Sequence, residues 1–104
     1  MAGPREKKIA NLRAVDGSKS GMKRTQVTVP WQEGLHLRHA IRLIRLGQAF
    51  RSTICLKCGD RIADLRSILS VLALCAAMGA TLEIEASGED ELEAAQTVAQ
   101  LFGE

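Results

Sequence analysis

The sequence predicts an α+β open-faced sandwich, a four-stranded antiparallel sheet covered on one face by three helices in the order β-α-β-β-α-β-α. Three observations lead there. Four short stretches alternate apolar and polar residues, the period of a strand with one buried face. Three other segments carry apolar residues at three- and four-residue spacing, the period of a helix. The second of these is apolar nearly all round, so it needs cover on more than one side or leaves an apolar patch for a partner. A chain of 104 residues has room for one such core.

The first strand is Thr25-Gln26-Val27-Thr28-Val29, β-branched and strictly alternating. Pro30 ends it, and Trp31-Gln32-Glu33-Gly34 forms a loop, with Trp31 read as core packing or a loop lid. Leu37, Ala40, Ile41 and Ile44 then recur at helical spacing, predicting a helix from Leu37 to Leu46 with Gly47 as its C-terminal stop. Phe50 to Lys57 alternates again, with Phe50, Ser52, Ile54 and Leu56 on one face. A tight turn at Cys58-Gly59-Asp60-Arg61 joins it as a hairpin to a short third strand, Ile62-Ala63-Asp64. Ser67 is a favoured N-cap, so the second helix is placed from Ser67 to about Met78-Gly79. Thr81 to Ala86 is the fourth strand. After the turn at Ser87-Gly88, the acidic run Glu89-Asp90-Glu91 suits a helix start and reads as a solvated face. The third helix is expected to bury Leu92, Ala95, Val98, Ala99 and Phe102.

Charge divides the chain. The formal net charge of +2 combines +5 over residues 1–24 with −3 over the remainder. Residues 1–23, rich in glycine, serine and basic side chains, read as a flexible arm preceding a domain over 24–104. The arm has no aromatic residues between its charges to stack on bases, so no nucleic-acid partner is expected. There is no apolar run of about eighteen residues to insert in a membrane, no signal-peptide pattern, and an odd number of cysteines (Cys55, Cys58 and Cys75). These features suit a cytoplasmic protein with reduced thiols. Cys55 and Cys58 have the spacing of half a zinc site, but no second pair completes it and alternation puts the two on opposite strand faces; no metal or cofactor is expected.

One stretch carries candidate chemistry: Gly34-Leu35-His36-Leu37-Arg38-His39-Ala40. His36 falls at or beside a helix N-terminus, where unpaired N–H groups and partial positive charge favour an anion. A phosphoryl group on the imidazole would meet those N–H groups, and Arg38 would add the full positive charge a dianion requires. The same residues also allow a helix-capping histidine beside a solvated arginine. Neither a glycine-rich nucleotide loop, a Ser/His/Asp arrangement nor an acidic pair offers other chemistry.

Taken with GLHLRHA, the run RSILSVLALCAAMGATLEIEASGEDE and the element order, the sequence resembles the HPr family, the histidine-containing phosphocarriers of the bacterial phosphotransferase system, from about residue 24 to the C-terminus. The resemblance implies that His36 is the phosphoryl acceptor and donor, through Nδ1, and that Arg38 neutralises the phosphate. It implies enzyme I as donor, an EIIA-type protein as acceptor, a stoichiometric carrier rather than an enzyme, and a monomer. Ser67 matches the family's regulatory serine, the target of HPr kinase/phosphorylase; a plain N-cap explains it as well. Leu35, Leu37, Ile68, Leu69 and Leu72 are the expected docking residues. His39 stands where the family usually has proline and reads as an innocent substitution, and the Pro30–Gly34 loop is closer in length to nitrogen-type carriers. A regulatory module that binds partners without phosphotransfer is the alternative.

Overall fold

The computed structural model describes residues 22–103, and the elements fall in the predicted order: β1 (Lys23–Thr28), α1 (Leu37–Gln48), β2 (Thr53–Cys58), β3 (Arg61–Asp64), α2 (Ile68–Ala73), β4 (Thr81–Ser87) and α3 (Glu91–Leu101). The basic arm assigned to residues 1–23 lies outside the described residues, apart from Met22 and Lys23, which leads into β1.

The sheet order is β1-β4-β2-β3, with every neighbouring pair antiparallel. β4 therefore separates β1 from β2, and β2 separates β4 from β3. Two split β-α-β units interleave, α1 crossing from β1 to β2 and α2 from β3 to β4. Neither unit can form its sheet without a strand of the other.

Strand register explains which residues are buried. Thr25, Ile84, Leu56 and Ala63 form one row across the sheet, and the last three are fully buried. Ala40 and Leu43 from α1, Val71 from α2, and Ala94, Val98 and Leu101 from α3 join them in the core. The next row is Arg24, Glu85, Cys55 and Asp64, on the opposite face because side chains alternate. There the Glu85 carboxylate accepts from Lys57 Nζ at 3.1 Å and lies 3.3 Å from Arg24 Nε. One face is core and the other is polar, as an open antiparallel sheet requires.

Several local expectations need correction. α1 runs through Gly47 to Gln48, with Ala49 as its C-cap. Gly47 is instead a point of close approach: a Cβ there would lie 3.0 Å from the Leu65 Cβ. α2 ends at Ala73 rather than near Met78, because Cys75 takes φ +51 and turns the chain out of the helix. Arg61 Nη1 donates to the Leu74 carbonyl at 3.2 Å, occupying an acceptor freed by that early stop. On α3, Leu92 points outward and Ala94 and Leu101 take inward positions beside Ala95, Val98 and Phe102.

Asp90 is no part of a solvated face. Its carboxylate accepts from the backbone N–H groups of Arg51 and Ser52, both at 2.9 Å, and from Ser52 Oγ at 2.5 Å. Those bonds hold its carboxyl below the usual range, the Ser52 hydroxyl contributing most. They also explain why β2 starts at Thr53 and not Phe50: two N–H groups of the expected strand are taken by a side chain. Gly88 permits the approach, since a Cβ there would lie 2.7 Å from the Ser52 Cα.

Ile84 and Ile62 give a direct check on this division of faces, one fully buried and the other 61% exposed. Ile84→Ala is expected to cost about 2–5 kcal/mol, and Ile62→Ala no more than roughly 0.5 kcal/mol, in urea denaturation.

Candidate functional site

The candidate site is built where β1 gives way to α1. Past β1, Val29 N–H donates to the Ala80 carbonyl and Gly79 N–H donates to the Val29 carbonyl, both at 2.9 Å, so strand pairing extends to the loop. Gly34 N–H closes a turn on the Trp31 carbonyl at 2.9 Å, and Leu35 N–H donates to the Ala76 carbonyl at 2.9 Å. Gly34 has φ +80, and a Cβ on it would come 2.7 Å from that same carbonyl. Glycine is required here for both its backbone angle and its size.

His36 follows as the N-cap of α1, with extended backbone, and its carbonyl accepts the first helical bond from Ala40 N–H at 2.9 Å. The imidazole is held at both nitrogens. Nδ1 accepts from Arg38 N–H at 3.3 Å, and Nε2 lies 3.2 Å from Glu33 Oε2. A nitrogen that accepts carries no proton, and one facing a carboxylate donates, so the neutral ring is the Nε2–H tautomer with its lone pair on Nδ1. Hydrogen bonding within Glu33 itself and then from His36 holds the Glu33 carboxyl below its usual range. The pair is exposed and contributes orientation more than stability.

The Nδ1 lone pair thus points to the unpaired N–H groups of the first turn, a turn with no acidic residue of its own. Arg38 is exposed beside it. The arrangement offers a nitrogen lone pair, fixed donors and an exposed cation at one place.

Beneath His36 lies an aromatic stack that no sequence pattern foretells. His39 is 3% exposed, and its ring stacks on Trp31 with centroids 3.7 Å apart and planes 11° apart. Phe102 also packs against Trp31, with ring centroids 5.0 Å apart. His36 and His39 have ring centroids 4.8 Å apart. Burial, then the neighbouring charges of His36 and Arg38, lower the pKa of His39, and Glu33 only partly opposes them. Its Nδ1 is buried with no hydrogen-bond partner.

The other predicted residues divide by place. Leu37 is exposed next to His36. Leu35 is not available for docking: it is buried in the core, and its backbone anchors the loop. Gly47 near the end of α1 approaches Leu65 ahead of α2, whereas Gly34 and Leu35 ahead of α1 meet Ala76 beyond α2. The two helices therefore run in opposite senses. Ser67 caps the start of α2, accepting from Ser70 N–H at 3.3 Å, with Leu69 74% exposed beside it and Ile68 and Leu72 half-buried. Cys58 packs against the core and Cys55 lies in the polar row; burial, then Asp64 and Glu85, push the Cys55 thiol up. Among the described residues no group of three or more His, Cys, Asp or Glu is placed to hold a metal ion, and no helix is long and apolar enough to cross a membrane.

Glu33 and the Trp31–His39 pair are the functional candidates missed in the sequence. Glu33 precedes His36 by three residues, a spacing that brings side chains together near a helix start. No comparable signal pairs Trp31 with His39 across eight positions of loop and helix.

Fold and site define a class: a small open-faced α+β sandwich that presents one imidazole at the head of a helix. The family model for the PTS HPr component phosphorylation site matches residues 23–104, and the chain belongs to that family, the phosphocarriers of the phosphotransferase system. It is similar to the phosphocarrier protein HPr of Xylella fastidiosa, 32% identical over 74% of this chain and 86% of the relative. It is also similar to the phosphocarrier protein NPr of Proteus mirabilis, 35% identical over 74% and 87%. The crystal structure of HPr from Bacillus anthracis shares the fold, with a TM-score of 0.73 and 24% identity, covering 77% of this chain and 95% of that one.

Two outcomes follow from the loop and the stack. Gly34→Ala is expected to cost about 1–3 kcal/mol in chemical denaturation and to shift the His36 ring resonances, because the loop must leave Ala76. His39 binds protons less readily folded than unfolded, so stability is expected to fall as pH drops below about 6.5. His39→Phe should weaken that dependence, as read by urea denaturation on either side of that pH.

Proposed function

We propose that His36 accepts a phosphoryl group from enzyme I and passes it to an EIIA-type protein, with Arg38 neutralising the charge. The observation that carries this reading is the double hold on His36, Nδ1 on Arg38 N–H and Nε2 on Glu33. It leaves the lone pair on the nitrogen that faces the helix head.

In the forward step the Nδ1 lone pair forms the N–P bond while the bond from phosphorus to the donor breaks, its electron pair leaving with the donor. The Nε2 proton stays on the ring, shared with Glu33. First-turn N–H groups, Arg38 N–H among them, then turn from ring nitrogen to phosphoryl oxygen. Transfer onward is the reverse with a new acceptor. Positioning and charge are most of what phosphoryl transfer asks of a protein.

Leu37, Ile68, Leu69 and Leu72 remain the proposed docking residues, and the exposed Met78 adds to the apolar surface they offer. Ser67 is exposed and open to HPr kinase/phosphorylase; a phosphate on it would put charge beside Leu69. The carrier works as a monomer in the cytoplasm, needs no cofactor, and is a stoichiometric intermediate.

The test is phosphorylation by enzyme I and phosphoenolpyruvate, read by intact mass before and after mild acid. One acid-labile phosphate is expected, absent from His36→Ala. Arg38→Ala is expected to slow transfer roughly 10–100-fold, the loss of a hydrogen bond to a charged group. Ser67→Asp is expected to weaken enzyme I binding without loss of fold. Labile phosphate on His36→Ala would displace the assignment to another residue.

A further inference from the structure

His39 has no task in the reaction as described, yet it is the most unusual side chain near it. A buried imidazole nitrogen without a partner costs stability, and its ring lies 4.8 Å from the ring of His36. We propose that His39 is a positioning residue that balances charge: once His36 carries a phosphoryl group, the ring of His39 binds a proton and, held against Trp31, faces the phosphate as an imidazolium. This rests on phosphorylation of His36.

The geometry supplies each part. Trp31 stacks at 3.7 Å, nearly parallel, and fixes the ring in one plane. An indole face is also the best aromatic partner for a cation. Phe102 backs Trp31, so the stack has a wall on the α3 side. The charged and titratable groups that face His39 are Glu33 from the loop and His36, Arg38 and Arg42 from α1; α3 reaches the stack through Phe102, which carries no charge.

In the unphosphorylated protein these surroundings favour the neutral ring, burial first and the neighbouring His36 and arginines next. Phosphorylation of His36 reverses the balance. With Nε2 still protonated the ring is cationic and the phosphoryl group dianionic, so the residue gains one net negative charge; this offsets the nearby positive charge of Arg38, and Glu33 acts in the same direction. One proton comes from solvent to the free nitrogen of His39; no bond to phosphorus involves His39. The ring that costs stability in the resting carrier thereby gains a charge partner in the loaded one. Loading His36 and protonating His39 become linked, so each favours the other.

The experiment is an NMR pH titration of the His39 ring, with and without phosphate on His36. Enzyme I and excess phosphoenolpyruvate maintain the loaded state, and intact mass verifies it. The chain has two histidines, so the spectrum of His39→Phe assigns both rings. The His39 midpoint is expected to rise by about one unit or more on phosphorylation, a tenfold change in proton affinity. Across the interval between the two midpoints, the equilibrium for loading His36 should then favour low pH up to tenfold more in the native protein than in His39→Phe. Phosphate on His36 with an unmoved or lowered His39 midpoint would overturn this inference alone. Failure of His36 to take phosphate would overturn the reading beneath it, and this inference with it.

Discussion

The site depends on one backbone hydrogen bond, from Leu35 N–H to the Ala76 carbonyl. It ties the segment ahead of α1 to the segment after α2, two parts of the chain forty-one positions apart. Leu35 is buried at this junction, and Gly34 has no Cβ because the same carbonyl occupies its place. With the strand-like bonds between Val29 and residues 79 and 80, the loop is fastened on both sides of its turn. His36 is the next residue along. Its backbone is extended, its ring capped and its tautomer set because the residue before it cannot move far.

This fixes how the charges divide their work. The N–H groups of the first turn are held by the helix and contribute partial charge of roughly +0.5 at its N-terminus. Arg38 supplies a full charge but on an exposed side chain, where salt screens it over about 8–10 Å at ordinary ionic strength. On the proposed reading, the fixed donors set where a phosphate would sit and the arginine how strongly it would be held. The Glu33 contact leaves Nδ1 as the ring nitrogen without a proton. None of this needs an enclosed pocket, which suits the proposed hand-over of a group between partners.

Much of this was legible because it is local. Alternation in 25–29, 50–57 and 81–86 and helical spacing after Leu37 located the sheet and helices, and Ser67 announced its cap. His36 and Arg38 stood out through their position relative to the helix start. What failed depended on contacts distant in sequence. Gly47 looked like a stop but serves Leu65; Asp90 looked solvated but holds Arg51 and Ser52; Leu35 looked available but is the loop's anchor. The helix after Ser67 was drawn too long because its apolar residues continue past Ala73, whereas the backbone turns at Cys75 to bring Ala76 to Leu35. The burial of His39 is not legible for the same reason, since its place comes from Trp31, which no periodicity connects to it.

The central claim is that cap and carboxylate together leave the lone pair of His36 on Nδ1. Nitrogen-15 NMR of the unphosphorylated protein at neutral to mildly alkaline pH tests it most directly, because protonated and unprotonated ring nitrogens have well-separated shifts. An Nε2–H tautomer is predicted for His36, with Nδ1 unprotonated. An Nδ1–H tautomer would contradict it, since the nitrogen facing the helix head would then have no lone pair to give.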